Sequence, residues 1–95
     1  MTRSLFMIEG NICGDRIRIA RTLHKPPLTQ AELAVQIQLR GMEMTQVMIS
    51  RIEKNNRHVI DAELLMISQV LGVSMEWLCG VGEDSDYLKF RIERR

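Results

Sequence analysis

Apolar residues recur at spacings of three and four along most of this chain, the period of helices with one buried face. Cys13, Ile17, Ala20 and His24 follow one another at intervals of four, three and four. They predict a first helix from about Asn11 to Leu23, with Arg16, Arg18 and Lys25 turned outward. Lys25-Pro26-Pro27 stops it, because a residue before proline is pushed out of the helical region. A second helix, about 29–38, opens at Thr29. Thr29 and Glu32 have the spacing of a capping box, in which each side chain satisfies the other's free backbone amide. Leu33, Ala34 and Ile37 form its apolar face, and Gly41 allows the turn that follows.

A third helix, about 45–55, opens at Thr45, a favourable cap. Met48, Ile49 and Ile52 mark its inner side. The polar loop Asn55-Asn56-Arg57-His58 separates it from a fourth helix capped by Asp61, with Glu63 near the positive end of the helix dipole. Leu64, Ile67, Ser68 and Leu71 share one face, and Gly72 suits the left-handed residue that ends a helix. Ser74 caps a short fifth helix, Met75 to Cys79. Trp77 and Leu78 are expected in the core. In the tail the period changes to two: Leu88, Phe90 and Ile92 alternate with Lys89, Arg91 and Glu93, which favours a short β-strand.

Composition narrows the fold. With 95 residues the chain suits one domain, 11–80, flanked by segments 1–10 and 81–95. Aromatics make up 4% of the chain while there are seven Met residues, so Leu, Ile and Met fill the interior, which suits packed helices. Three of the four aromatics, Phe6, Tyr87 and Phe90, lie in the flanks. Such residues are rarely left uncovered, so the flanks are expected to order together or at a subunit interface, with a mobile tail as the alternative.

Net charge is +1, but its distribution is uneven. Residues 16–58 hold eight Lys/Arg against three acids, a net of +5; the remainder holds five bases against nine acids, a net of −4. A basic half carrying paired helices is the footprint of a polyanion binder.

Other chemistries lack their residues. Cys13 and Cys79 stand 66 positions apart with no Cys/His cluster, so reduced core thiols are expected rather than a metal site. No carboxylate pair or nucleophile elbow occurs, and Gly10-x-x-x-Gly14 lacks the Lys-Ser/Thr of a phosphate loop. No enzyme, cofactor or small-molecule ligand is expected. The N-terminal apolar run is too short for a secretory core or a membrane span, so a cytoplasmic protein is expected.

Leu28-Thr29-Gln30-x-x-Leu33-Ala34, followed by Thr45-Gln46-x-x-Ile49-Ser50-Arg51-Ile52-Glu53-Lys54-Asn55, resembles the helix-turn-helix of phage repressor and Cro proteins and their bacterial relatives. Gly14-Asp15-Arg16-Ile17-Arg18-Ile19-Ala20-Arg21 upstream looks like that family's helix 1. Glu63-Leu64-Leu65 and Val70-Leu71-Gly72-Val73-Ser74-Met75-Glu76-Trp77-Leu78 look like its helices 4 and 5. The resemblance covers about residues 12–80. It implies an all-α, five-helix, lambda-repressor-like domain that binds double-stranded DNA as a homodimer and regulates transcription, most simply as a repressor.

Residue by residue, the resemblance places Thr45 at the start of the recognition helix and Gln46, Val47 and Arg51 opposite base edges. Positions 46, 47, 50 and 51 share a surface opposite Ile49 and Ile52, so Ser50 joins this face. Arg51 suits a bidentate bond to guanine, Gln46 one to adenine, and Val47 a thymine methyl. Thr29 and Gln30 open helix 2, where the family binds a phosphate. Lys54, Asn55 and Arg57 follow where it grips the backbone. Arg21 and Glu53 match a buried ion pair between helices 1 and 3.

Two intervals depart from the family. Thr29 to Ile49 is longer than usual, the surplus falling around Gln38–Met42, and Lys25-Pro26-Pro27 lengthens the preceding connection. Either helix 2 gains a turn or the turn bulges, and Arg40 there has the length to reach a phosphate. The rival reading is a protein-interaction module of the same fold, an antitoxin or adaptor.

Overall fold

The computed structural model describes residues 10–81. Five helices account for their regular structure: α1 (Gly14–Leu23), α2 (Gln30–Leu39), α3 (Gln46–Glu53), α4 (Asp61–Leu71) and α5 (Met75–Leu78). The fold is all-α and fits the lambda-repressor type. Among the described residues there is no strand. The alternating segment at residues 88–93 lies outside them, as do Phe6, Tyr87 and Phe90.

One core unites the helices. Ile17, Leu33, Ile37, Met44, Ile49, Ile52, Ile67, Leu71 and Leu78 are fully buried. α1 packs on α3, α4 and α5, while α2 packs on α3 and α4. Trp77 is buried at the α5 end of this core. The helix periods read from the sequence therefore selected the correct inner faces, since each amphipathic stripe must remove its apolar area from water.

The structure departs from these expectations at the start of α1, at Arg16 and at the cap of α4. α1 begins at Gly14, not Asn11, because the Asn11 side chain turns back to accept hydrogen bonds from the Cys13 and Gly14 amides at 2.9 and 2.7 Å. Its end at Leu23 is the expected one, with His24 a half-buried cap beyond the helix. Arg16 does not point into solvent: its guanidinium lies 4.7 Å from the Trp77 ring centroid and donates to the Trp77 carbonyl at 3.0 Å. A planar cation over an indole face gains attraction and covers the ring at once. At α4 the cap residue is Ile60, not Asp61. Asp61 is already helical, and Glu63 reaches back to accept the Ile60 amide at 3.2 Å.

The long interval between α2 and α3 resolves into a ten-residue α2 and a six-residue return, 40–45. Gly41, at φ +92°, supplies the left-handed residue that stops α2. The Gly41 and Met42 amides then close on the Gln38 and Ile37 carbonyls. The return segment is pinned at its far end. Met44 is fully buried, and the Gln38 side-chain amide donates to the Met44 carbonyl. The surplus residues are thus fastened to the core rather than bulging from it.

Met44→Ala should therefore cost about 2–5 kcal/mol of folding stability, the range for emptying a buried methionine site. Urea unfolding of the two proteins measures it; a loss below about 1 kcal/mol would show that the return segment is not anchored by this side chain.

Candidate nucleic-acid interface

α3 presents two unlike faces because its apolar residues fall three apart. Ile49 and Ile52 are buried at 1% and 0% exposure, while Gln46, Val47 and Arg51 are exposed and Ser50 is half-buried. Thr45 starts the helix by accepting the Met48 amide at 3.1 Å. That bond satisfies an amide that has no partner within the helix. At the other end Lys54 is the exposed cap residue, and Asn55 takes the left-handed conformation at φ +61°. Its amide and that of Asn56 close on the Ile52 and Arg51 carbonyls at 3.0 and 2.9 Å. Asparagine tolerates this backbone better than most side-chain-bearing residues.

The inner end of α3 carries a carboxylate that ties three helices together. Arg21 donates to Glu53 through Nε at 2.6 Å and Nη2 at 2.8 Å, and its Nη1 reaches the Leu28 carbonyl at 2.9 Å. The two side chains are 12% and 3% exposed. This bidentate pairing raises the Arg21 pKa above its ordinary value. Glu53 Oε1 also accepts from Gln30 Nε2 at 3.0 Å. Gln30 in turn accepts from Gln46 Nε2 at 2.7 Å. A continuous relay therefore runs from α1 through Glu53 and the first residue of α2 to the first residue of α3. It ties the exposed Gln46 to the start of α2.

The remaining residues singled out from the sequence are engaged differently. Thr29 caps α2, accepting the Glu32 amide at 3.0 Å while its own amide donates to Glu32 at 2.8 Å. Those bonds from Thr29 hold the Glu32 carboxyl below the usual range. Arg57 does not extend freely from its loop. It grips Glu63 with both terminal nitrogens, at 2.9 and 3.0 Å, so its charge is largely compensated. Hydrogen bonding from Arg57 in turn holds the Glu63 carboxyl below its ordinary value. Arg51 and Lys54 keep exposed side chains, and no other described residue bonds them.

Sequence reasoning missed two participants. From the sequence Glu63 reads as a helix-dipole residue at the start of the helix-4 pattern, yet it also organises the loop before α4. Asn11 was placed inside helix 1, yet its amide donates to the Ile52 and Arg57 carbonyls at 3.0 and 2.8 Å. An Asn just before an apolar helical period is a signal for such a turn; its long-range partners carry none.

Among the described residues no His/Cys/Asp/Glu cluster could hold a metal ion. Burial, with a smaller contribution from Cys79, pushes the Cys13 thiol up to about 11, which leaves it little thiolate for chemistry at neutral pH. No helix among the described residues is long and apolar enough to cross a membrane.

A capped helix with a polar outer face, braced across a preceding helix, is the geometry of a helix-turn-helix, and the helix-turn-helix family model matches residues 17–78. The chain belongs to the Cro/C1-type helix-turn-helix family. It is a member of a DNA-binding regulator family. The match spans α2, α3, α4 and α5 and all but the first three residues of α1, so the α2–α3 interval lies within the matched residues. No curated protein and no solved structure matches the chain.

Two outcomes follow from the buried carboxylates of this helix-turn-helix. Glu53→Ala leaves Arg21 without its partner and should cost on the order of 3–5 kcal/mol in a denaturation experiment; a change under about 0.5 kcal/mol would show that the pair is not structural. Glu63 titrates below its ordinary value when folded. Its stabilisation is therefore complete above the ordinary carboxylate range and is lost as pH falls through the depressed value. Thermal melts from about pH 6 down to about pH 3 should fall less steeply in Glu63→Gln than in the parent. Equal slopes would exclude Glu63 from the acid response.

Proposed function

We propose that this chain binds double-stranded DNA sequence-specifically through α3 and acts as a transcriptional repressor. The observation that carries the reading is the Glu53–Gln30–Gln46 relay, which holds the exposed Gln46 amide in place at the start of α3. An amide held in this way suits bidentate bonding to adenine, and the exposed Arg51 guanidinium suits guanine. Val47, 62% exposed, suits a thymine methyl, and Ser50 sits between these two positions.

Thr29 and Gln30 at the start of α2, Thr45 at the start of α3, and Lys54, Asn55 and Arg57 after α3 flank the reading face. In this reading they meet phosphates on either side of a groove, a contact that fixes register without reading sequence. Arg57, already paired with Glu63, contributes shape and loop order more than free charge. The +5 balance of residues 16–58 supports a polyanionic partner.

A homodimer on a two-fold site completes the reading, since one helix reads few base pairs; the half-sites then lie roughly 34 Å apart. The flanks 1–10 and 81–95, with Phe6, Tyr87 and Phe90, supply apolar side chains for a contact between copies. A cytoplasmic location accords with this role. The rival, an interaction module such as an antitoxin or adaptor, draws support from Val35 and Leu39, 49% and 76% exposed on the outer side of α2.

Selection from random duplexes, followed by affinity measurements across salt concentrations, decides between them. Affinity for DNA should fall steeply with salt, as phosphate neutralisation requires. On the selected site Arg51→Ala should relax preference by about 1–3 kcal/mol, whereas Lys54→Ala should weaken all duplexes alike and flatten the salt slope by about one unit. If both variants match the parent, α3 is not the reading element.

A further inference from the structure

One side chain outside the reading face holds the far end of α3. Asn11 uses its full hydrogen-bonding capacity. Its Oδ1 accepts from the amides of Cys13 and of Gly14, the first residue of α1, at 2.9 and 2.7 Å. Its Nδ2 donates to the Ile52 carbonyl in the last turn of α3, at 3.0 Å, and to the Arg57 carbonyl in the following loop, at 2.8 Å. An amide has two donors and two acceptor sites, and here each is taken. Few side chains can do this, since a hydroxyl has one donor and a carboxylate none.

The surroundings are built for the contact. α1 meets α3 so closely that a Cβ on Gly14 would overlap the Ile52 carbonyl oxygen, the same oxygen that Asn11 binds. The loop that Asn11 holds by its backbone is held again by its side chain, through the Arg57–Glu63 pair. α3 is only eight residues long, with one face exposed. The relay from Glu53 and Gln30 fixes where Gln46 points. The Asn11 amide fixes the opposite end, carrying Arg51 and Lys54.

We propose that Asn11 is a positioning residue for DNA reading: it sets the tilt of α3 and the seat of loop 54–58, without touching DNA itself. This rests on the functional reading above. The consequence is that Asn11 controls discrimination between sequences and not stability alone.

Asn11→Asp separates the two roles. The carboxylate keeps both acceptors for α1, where negative charge is favourable. It loses both donors and sets an anion against the Ile52 and Arg57 carbonyls. The full chain is tested on its selected duplex and on a random-sequence duplex, below the melting midpoint, with folding checked by circular dichroism. The ratio of the two affinities should fall at least fivefold in Asn11→Asp. A merely structural residue would shift the midpoint and leave that ratio alone. Should the Asp variant not fold, Asn11→Ser, which keeps an acceptor for α1 and introduces no charge, is measured in the same way.

A folded variant that discriminates as well as the parent overturns the assignment alone. A parent chain with no salt-dependent affinity for DNA overturns the functional reading, and this assignment with it.

Discussion

The Glu53 carboxylate is the point on which the arrangement turns. It is a charge taken out of water at the end of a helix that must otherwise face solvent, and three donors converge on it there. Arg21 supplies two and Gln30 a third. A buried ion pair adds little net stability against an apolar substitute, but its geometry is demanding: one partner removed leaves the other stranded. The demand fixes α1, α2 and α3 relative to one another far more narrowly than apolar contact alone. Isoleucines at 17, 49 and 52 tolerate small slides, whereas a bidentate guanidinium does not.

That constraint explains how a short helix serves as a reading element. Eight residues form a marginal helix in isolation, and most of its stability must come from tertiary contact. α3 obtains it from both ends and from below. Thr45 caps the start, Gln30 braces Gln46, and Ile49 and Ile52 fill the core. The Asn11 amide and the Asn55 turn close the end. The outer face is then free to be polar, because the core is filled from the opposite side by Ile49 and Ile52. Pre-organisation of this kind reduces the ordering cost when a partner binds.

The unusual length between α2 and α3 leaves this geometry intact for a similar reason. The additional chain does not sit between the braced ends of the two helices. α2 runs on past the contact, turns at Gly41 and comes back along itself, with Met44 in the core and the Gln38 amide on the Met44 carbonyl. Gln30 and Gln46, the first residues of the two helices, still meet. An insertion is tolerated where its ends are pinned and its middle faces solvent.

The sequence by itself determined which segments are helical, which faces are inward and where most helices start and stop. These are local matters: a period of three and four, a Thr with Glu three residues on, a Gly where φ must be positive. Ile17, Leu33, Ile37, Ile49, Ile52, Ile67 and Leu78 all lie where their spacing puts them. The start of α1 and the cap of α4 differ from the sequence reading, because Asn11 and Glu63, which satisfy amides there, also bind partners elsewhere. Asn11 looked like the first residue of a helix, and only the Ile52 and Arg57 carbonyls, some forty positions on, give it its true place. Glu63 was visible as an acid in a first turn, yet its partner Arg57 had the look of a free cation. The relay through Gln30 and Gln46, the Arg16–Trp77 contact and the path of residues 40–45 were equally tertiary decisions. Local periodicity tells a side chain whether to face inward; which of several donors meets which carbonyl is settled only when the helices have packed and each buried polar atom has to find a partner within about 3 Å.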